Sequence, residues 1–587
     1  MNLLNQIKEK VASAYQACGF GAENTLVRLS DRPDMGDYQS NGALPLAKAL
    51  KQPPRVLAEK IADVLRGDSF FSRVSVDGPG FINMTVSDTI LGHQVYPILA
   101  DSKCGYERPD QPKTVLLDYG GPNVAKALHV GHLRPAVIGE SVKRICQFVG
   151  DKTIADVHLG DWGKPMGLLI AELKQKQPNL PYFDDSYTGE YPAEAPFTAH
   201  DLETLYPMAS AHAKEDEAFA ALAHECTKKL QDGHRGYRAL WDKFISLSVA
   251  DIRKLYDELD VSFDLWRGES HVHDRLMAMI ERLRANGTII PDQGAEIIPL
   301  GKAKGGNDLP PLIMVKSDGA VMYAATDLAT IEERVDEFHP DAILYVVDAR
   351  QALHFEQVFA GAAKIGLAKG ISLEHLGFGT INGTDNKPYK TRSGGVPTLR
   401  YLIDTATAAA RQKMESGEMG RDLTPTEKET ISKIVGVSAL KFADLMNERM
   451  KNYVFDEDKL TSTEGKTGPY LLYAMVRMKS LLEKTGETPD LSPNDFVTVT
   501  SPAERQLLLR LYALPDSVQT AYDNRAPHAI ADYLFKLCQD FNLFYHDCPI
   551  KDADAIIRQS RLTLTKYTLH VAQAMARLLG LCVPEKM

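Results

Sequence analysis

Apolar and polar positions recur at helical spacing over long stretches near both ends of the chain. In residues 1–110 these amphipathic stretches surround two strand-like runs, residues 72–76 and 81–86, which a DGPG turn separates. This mixture predicts a small α+β module. The end of the chain keeps helical spacing throughout, which predicts a helical connector over residues 401–455 and an all-α helical bundle over residues 456–587.

The middle of the chain, residues 111–400, has the pattern of a parallel sheet. The apolar run TVLLDY is followed by the turn GGPN, by helical spacing over residues 133–149 and by a second apolar run at 153–159. Strand, turn, helix and strand in this order are typical of a βαβ unit with a right-handed crossover. Further strands are predicted at residues 342–348, which are almost continuously apolar as in a strand covered on both faces, and at 371–381.

One segment of the middle region departs from this pattern. Residues 166–270 are rich in charge and helical in spacing, with an acidic loop containing Pro and Tyr near residues 183–196. They predict a helical insertion in the sheet domain. The expected fold class is therefore multidomain α/β, with an N-terminal α+β module, a parallel-sheet domain and a C-terminal all-α bundle.

Length and composition agree with several folded domains. The chain has 587 residues, and its 44% hydrophobic and 25% charged residues are ordinary for folded proteins. One hydrophobic core stops growing at roughly 250–300 residues. The first residues show no basic leader and no long apolar run, and no window of about 18 apolar residues occurs. We therefore expect no membrane span, and the scattered cysteines fit a reducing cytoplasm.

Cysteine usage and net charge bear on whether the protein has a zinc site, disulfides or a nucleic-acid partner. The seven cysteines are scattered, without a CxxC pair, which argues against a zinc site and against a disulfide framework. The formal net charge is -11, so composition alone does not indicate a nucleic-acid partner. Any case for RNA depends on motifs.

The strongest motif is GPNVAKALHVGHLR, residues 121–134, between the first predicted strand and its helix. In doubly wound sheets ligands bind at the carboxyl ends of strands, where helix N-termini offer free N–H groups to phosphate. His129 and His132 are three apart, so on a first helical turn both imidazoles share a face and can donate hydrogen bonds to phosphate oxygens. Gly131 between them lets a nucleotide approach the backbone. Taken alone, HxGH also suits a zinc-ligand pair or a capped helix start.

PNVAKALHVGHLR resembles the His-Ile-Gly-His signature of class I aminoacyl-tRNA synthetases, in the form used by arginyl-tRNA synthetases. Further blocks resemble the same family in the same order: HLGDWG, MYAATDLA, VVDARQALHF, KPYKTRSGG and TGPYLLYAMVR. The resemblance implies a Rossmann-type catalytic domain that activates arginine with ATP and Mg2+ and passes it from an arginyl-adenylate to its tRNA. It also implies a monomer, with no zinc and with neither DNA nor a membrane as partner.

The resemblance assigns roles to the phosphate-binding turn. His129, Gly131 and His132 would bind the phosphates of ATP, and Asn123 and Lys126 would line the same pocket. Asn123 would reach the carboxylate of arginine. The two histidines and Lys126 are the catalytic candidates of this turn.

Two departures from the family pattern concern the same pocket. Gly121 stands where many relatives carry Ser, so a side-chain contact to the ligand is missing. The second class I signature, Lys-Met-Ser-Lys-Ser, is degenerate: KPYKTRSGG supplies Lys387, Lys390 and Arg392 as candidate ATP ligands without a certain register. Lys390 is the catalytic candidate among them, because a cation there would stabilise charge on the leaving pyrophosphate.

The arginine pocket can be argued from chemistry as well as from the resemblance. A guanidinium is planar, always charged and best met by carboxylates. Asp118 ends the first strand, and Asp327 follows Tyr323 by four residues and shares its face if that segment is helical. The resemblance assigns these three residues to the guanidinium and Gln351 to the α-amino group. The ordinary alternatives are a strand-end turn for Asp118, a core position for Tyr323 and a helix N-cap for Asp327.

The assignment of RNA contacts rests mainly on the resemblance. The final helices are similar to the anticodon-binding domain of the family, and the N-terminal module is similar to the domain that contacts the tRNA elbow. Unstacked bases are usually recognised by aromatic and basic side chains. Candidates are Tyr470, Tyr473, Arg477 and Tyr545 in the tail, with core packing as the alternative, and Phe81 and Asn83 in the module.

Two other functions fit part of the pattern. Another nucleotidyl-transferring enzyme would share HxGH but needs neither the helical tail nor the set of Asp118, Tyr323 and Asp327. A catalytically silent paralogue that only binds tRNA would be free to lose His129 or His132, and both are present.

Overall fold

A computed structural model describes residues 2–21, 25–30, 32, 34–124, 126–302, 306, 308–389, 396–416, 420, 422–488 and 490–587. The chain divides into two compact units. The first comprises Met1–Pro109, Arg411–Ser438 and Thr461–Met587, and the second comprises Asp110–Ala410 and Ala439–Leu460.

The N-terminal residues of the first unit form the predicted α+β module. Its helices are α1 (Leu3–Ala17), α2 (Ala43–Leu50), α3 (Pro54–Arg66), α4 (Asp88–His93) and α5 (Val95–Leu99), and its strands are β1 (Val27–Leu29), β2 (Tyr38–Ser40), β3 (Phe71–Asp77) and β4 (Phe81–Val86). The strands form an antiparallel sheet in the order β1-β2-β4-β3. Leu3, Ile7, Val11 and Ala14 recur at helical spacing on α1 and are buried, so the helix packs through one face.

The second unit begins with the predicted βαβ unit and the predicted helical insertion. The βαβ unit is β5 (Thr114–Tyr119), α6 (Leu133–Val149) and β6 (Lys152–Asp156), and the insertion holds α7 (Lys164–Lys176), α8 (Ala199–Glu215), α9 (Glu217–Gln231) and α10 (Arg235–Glu258). The next elements are α11 (His273–Ala285), β7 (Ile290–Asp292), β8 (Ala295–Ile298), β9 (Leu312–Val315), α12 (Tyr323–Phe338), β10 (Ala342–Val346), α13 (Ala352–Lys364), β11 (Ser372–His375) and β12 (Ile381–Asn382).

A four-stranded parallel sheet positions the site. Its order is β11-β10-β5-β6, and Asp118 near the end of β5 lies beside Asp156 of β6 and Tyr345 of β10. The inner strands are buried along their length, as expected of strands covered on both faces. The carboxyl ends of β5, β6 and β10 therefore meet at one edge, where ligands of such sheets bind.

Two strands are shorter in the structure than the sequence pattern predicted. β6 ends at Asp156 because the chain turns away: His158 has a left-handed φ of 40°, and the N–H groups of Val157 and Leu159 donate to the carbonyls of Leu265 and Arg267 instead of to β5. The run 371–381 is interrupted after β11, and its last residue enters a different, two-stranded sheet.

The chain ends in helices, as predicted. They are α14 (Leu399–Glu415), α15 (Pro425–Leu445), α16 (Glu457–Leu460), α17 (Gly468–Thr485), α18 (Pro502–Tyr512), α19 (Leu514–Asp523), α20 (Pro527–Asp547) and α21 (Ala555–Leu578), and β13 (Tyr453–Val454) pairs with β12. Within the first unit, Arg505 of α18 reaches Asp37 of the N-terminal module through two hydrogen bonds, of 2.7 and 2.8 Å. No helix in the described part of the chain combines the length and apolar character that crossing a bilayer requires.

Candidate active site

The turn after β5 is held from two sides. Gly120 has a left-handed φ of 73°, and its carbonyl accepts a hydrogen bond from the buried hydroxyl of Tyr256 on α10. A Cβ on Gly121 would stand 2.7 Å from the carbonyl oxygen of His158. The absence of Ser at this position, noted from the sequence, therefore has a steric reason in this backbone.

The two imidazoles form a reciprocal cap at the start of α6. His129 Nδ1 accepts from the backbone N–H of Gly131, and His132 Nδ1 accepts from the backbone N–H of His129, each at 3.0 Å. The rings lie 4.1 Å apart. A Cβ on Gly131 would come within 2.8 Å of the His129 ring, so only glycine fits between them. The capped helix start considered from the sequence is therefore present, and it uses Nδ1 of each ring. Nε2 of each ring is left for another partner.

This cap also fixes the protonation state of the rings. A nitrogen that accepts from an N–H carries no proton, so the proton of each neutral imidazole lies on Nε2. Burial lowers the pKa of both histidines, His132 to about 3, and the charge of Lys126 adds to the effect. Both rings are therefore neutral Nε2–H donors at neutral pH.

Asn123 is fixed at the sheet edge by the HLGDWG block. The backbone of Gly160 bridges both neighbours of Asn123, donating to Pro122 O and accepting from Val124 N, each at 3.0 Å. A Cβ on Gly160 would lie 2.4 Å from Asn123 Oδ1. The Asn123 side chain is exposed and occupies the space that this glycine leaves open.

The first turn of α12 presents the predicted pair Tyr323 and Asp327 on one face. The helix begins at Tyr323 and its N-cap is Met322, so Asp327 is not a cap. Tyr323 is 61% exposed and is not a core residue. Asp327 Oδ2 lies 2.6 Å from His354 Nε2, and this contact raises the pKa of His354.

A further acid, Glu269, joins this face. It follows α10, the last helix of the insertion, and is placed by backbone pairing of Leu159 with Gly268. Burial, together with the charges of Asp161 and Asp327, raises the pKa of Glu269 to about 7, and its charge also raises the pKa of Tyr323. No motif marks Glu269, and only this long-range pairing brings it to the site. Perturbed acids in a cleft are typical of functional sites.

Asp118 has a partner inside the fold. Arg334 of α12 is 1% exposed, and its Nη2 donates to Asp118 Oδ2 and to Asp156 Oδ2, each at 2.7 Å. Burial raises the pKa of Asp118, and Arg334 opposes that shift. Because Arg334 already pairs with this carboxylate, the structure gives no support to Asp118 as a free counter-charge for a substrate guanidinium.

The residues that follow the second signature pair with the histidine turn. Lys387 is exposed, and the chain before and after the loop is anchored: Tyr389 N donates to Ile381 O, and Val130 N donates to Pro397 O at 2.9 Å. The backbone of His129 also forms an isolated antiparallel β-bridge with that of Thr398. The other two candidates, Lys390 and Arg392, lie outside the described residues.

Gln351 lies where the sequence placed it, after β10. It ends a 3-10 turn, Ala349–Gln351, and is exposed.

The RNA candidates separate into exposed and buried groups. Arg477 lies 4.8 Å from the ring centroid of Tyr473 and 5.4 Å from that of Tyr545, and both rings are about two-fifths exposed. Tyr470 instead accepts a hydrogen bond from Asn542. In the N-terminal module Phe81 is half-buried, whereas Asn83 is 2% exposed and bonded to Asp77 and Gln39, so Asn83 is not available to RNA.

Comparisons with known proteins cover the whole chain. Family models match for the class I tRNA synthetase (R) catalytic domain at residues 94–457, the DALR anticodon binding domain at 471–587 and the arginyl tRNA synthetase N-terminal domain at 2–86. Arginine–tRNA ligases from Alkaliphilus oremlandii and Hyphomonas neptunium are 45% and 44% identical, with all of both chains covered.

Solved structures show the same architecture. An arginyl-tRNA synthetase from Plasmodium falciparum matches with a TM-score of 0.82 and 25% identity, covering 100% of this chain and 99% of that one. The Thermus thermophilus enzyme matches over 100% of both chains with a TM-score of 0.78 at 22% identity, which bears on the fold alone. The family models and the full-length relatives confirm the resemblance, and the chain belongs to the arginyl-tRNA synthetase family of class I aminoacyl-tRNA synthetases.

Proposed function

We propose that this arginine–tRNA ligase activates arginine at the sheet edge formed by the carboxyl ends of β5, β6 and β10. In the first step a carboxylate oxygen of arginine attacks the α-phosphorus of ATP, and the bond to the bridging oxygen breaks to release pyrophosphate. In the second step a ribose hydroxyl of the tRNA terminus attacks the arginyl carbonyl and AMP leaves. No covalent bond to the protein is needed, so positioning and charge stabilisation supply the catalysis.

The phosphate side belongs to the histidine turn. His129 and His132 donate Nε2–H to phosphate oxygens, and the observation that carries the proposal is that backbone N–H groups fix Nδ1 of both rings. A donor with a fixed tautomer needs no reorganisation as charge develops. Gly131 leaves room for the nucleotide, and Lys126 supplies positive charge next to the rings. Lys387, Lys390 and Arg392 serve the leaving pyrophosphate.

The amino-acid side belongs to α12 and its neighbours. Asp327 and Glu269 provide charge for the guanidinium, and the Tyr323 hydroxyl fixes its plane. Asn123 takes the α-carboxylate and Gln351 the α-amino group. Asp118 acts indirectly, by holding Arg334 beneath the site. Buried acids reject uncharged analogues strongly, because such a ligand leaves a carboxylate unpaired.

The remaining assignments concern metal, tRNA and assembly. Mg2+ enters with ATP as part of the substrate; within the described residues no group of three His, Cys, Asp or Glu side chains is arranged to hold a metal ion. The tRNA anticodon meets the tail around Tyr473, Arg477 and Tyr545. The enzyme works as a monomer and in the cytoplasm, and its seven scattered cysteines without a CxxC pair support a reducing compartment.

Arginine-dependent exchange of pyrophosphate into ATP tests the proposal. Exchange is measured with arginine, lysine or citrulline, each with and without tRNA, and is followed by arginylation of tRNA. Exchange with arginine alone among the three is expected. Tight tRNA binding without exchange under any of these conditions identifies the silent paralogue, and exchange that ignores the amino acid identifies a different nucleotidyl transfer.

A further inference from the structure

We propose that Tyr206, a residue of the helical insertion, is a positioning residue that holds Lys126 for adenylate formation. The inference rests on the proposed function and gives the insertion a role in the first step. Lys126 Nζ lies 4.5 Å from the centroid of the Tyr206 ring. Tyr206 lies on α8, about 80 residues after Lys126, so the contact joins the insertion to the phosphate-binding turn.

Tyr206 lies between the two halves of the site. On one side, the ammonium of Lys126 is close enough to lower the pKa of both His129 and His132. On the other side, Tyr206 contributes to the raised pKa of Tyr323. One aromatic side chain therefore borders both the phosphate side and the guanidinium side.

An aromatic ring suits this task better than a carboxylate. A ring face attracts an ammonium through its quadrupole and leaves the positive charge unneutralised, so the charge of Lys126 stays available to phosphate. Acidic alternatives are close, because Glu203 and Asp251 line the same open cleft that Lys126 borders. Without the ring, Lys126 can turn into this cleft and pair with an acid, which removes its charge from the phosphates.

The helix that carries Tyr206 is anchored well enough to position a side chain. α8 begins with a reciprocal cap between Thr198 and Asp201, and its residues Leu202, Leu205 and Ala209 are buried at helical spacing. These contacts fix the register of Tyr206. The ring can therefore restrict Lys126 rather than follow it.

The test is a double-mutant cycle on pyrophosphate exchange, with saturating arginine and tRNA present. Tyr206→Leu is expected to lower kcat/KM for ATP roughly 3- to 10-fold, as loss of one partly exposed cation–π contact implies. In the Lys126→Met background the same change is expected to have no further effect. Tyr191→Leu is the matched control, because Tyr191 is in the same insertion and holds Arg235 at 5.0 Å from its ring centroid; it is expected to match the wild-type enzyme.

Two further variants keep the ring in place and separate positioning from folding. Tyr206→Phe is expected to retain the ATP parameters, whereas a trifluorinated phenylalanine of the same shape is expected to repeat the Leu defect at an unchanged Tm. The inference is overturned if Tyr206→Leu lowers kcat/KM for ATP equally with and without Lys126. It is also overturned if the variant with the fluorinated ring is as active as Tyr206→Phe. Absence of exchange in the wild-type enzyme would instead overturn the proposed function.

Discussion

Glu269 makes arginine binding depend on pH in a way that can be worked out from the structure. The pKa of Glu269 is raised to about 7, with burial as the largest cause. The carboxylate is therefore about 10% ionised at pH 6 and about 90% ionised at pH 8. If a guanidinium binds only the charged form, kcat/KM for arginine rises about tenfold across this range, because this ratio reports groups of the free enzyme.

The assay is pyrophosphate exchange at saturating ATP and tRNA between pH 6 and pH 8.5, with arginine varied. In Glu269→Gln, kcat/KM for arginine is expected to be low at every pH and to lose most of its rise with pH. His354 titrates in the same sense, since its protonated form pairs with Asp327 and competes with the substrate. His354→Asn therefore isolates the contribution of Glu269. A flat profile in the wild-type enzyme, or an unchanged rise in Glu269→Gln, refutes the reasoning.

Ionisation of Glu269 favours arginine binding but lowers the stability of the substrate-free enzyme. The folded protein keeps the Glu269 proton up to about pH 7, whereas the unfolded chain releases it near the ordinary glutamate pKa of 4.5. The folded state binds more protons between these values, so stability falls as pH rises through that window. The full shift corresponds to about 3 kcal/mol. Glu269→Gln is expected to stabilise the substrate-free enzyme at pH 8, measured by urea unfolding, and to leave it unchanged at pH 4.5.

Three further predictions follow from the site. His132→Ala should slow adenylate formation by about 100-fold or more, because it removes a fixed donor to developing charge. Its Tm should change no more than the Tm of a variant with an exposed residue substituted, and near-normal pyrophosphate exchange would rule out this role. Asp327→Asn should raise KM for arginine far more than KM for ATP, and equal losses would contradict it. Arg334→Met should lower the free energy of unfolding by about 3–5 kcal/mol at pH 7.5, since two buried carboxylates lose their partner. That loss should shrink as pH falls, because burial raises the pKa of Asp118 and its protonation removes one uncompensated charge, and a loss that does not depend on pH would argue against this cause.

Local patterns predicted the elements that carry the site. β5 and α6 have the bounds that the apolar spacing indicated, and Tyr323 and Asp327 share a helical face because four residues make about one turn. The capped helix start is present: the two histidines cap the 3-10 turn before α6 through Nδ1. This arrangement leaves Nε2 of each ring for the phosphate contact that we propose.

What the sequence did not predict depends on contacts between distant segments. Glu269 reaches the site because the chain after β6 pairs with residues that follow the insertion. Arg334 stands among acidic neighbours in a helix that looks solvated, yet it is 1% exposed. The strand predicted at 371–381 failed for a related reason: Gly379 leaves the sheet, and its N–H donates to Arg449 O. Periodicity describes one segment at a time and contains no information about such partners.

The buried Arg334 explains why the acids at this edge are not equivalent. Asp118 and Asp156 are adjacent in the sheet and share one guanidinium nitrogen, so Arg334 pairs with both carboxylates and neutralises one of their two charges. In the described chain no Lys or Arg side chain forms an ion pair with Glu269 or Asp327, whose neighbours include imidazoles, a phenol and the carboxylate of Asp161. A substrate guanidinium gains most where a buried carboxylate still lacks a cation. We therefore propose that selection of arginine falls to the acids on the α12 side, because the protein's own arginine already pairs with both carboxylates at the strand ends.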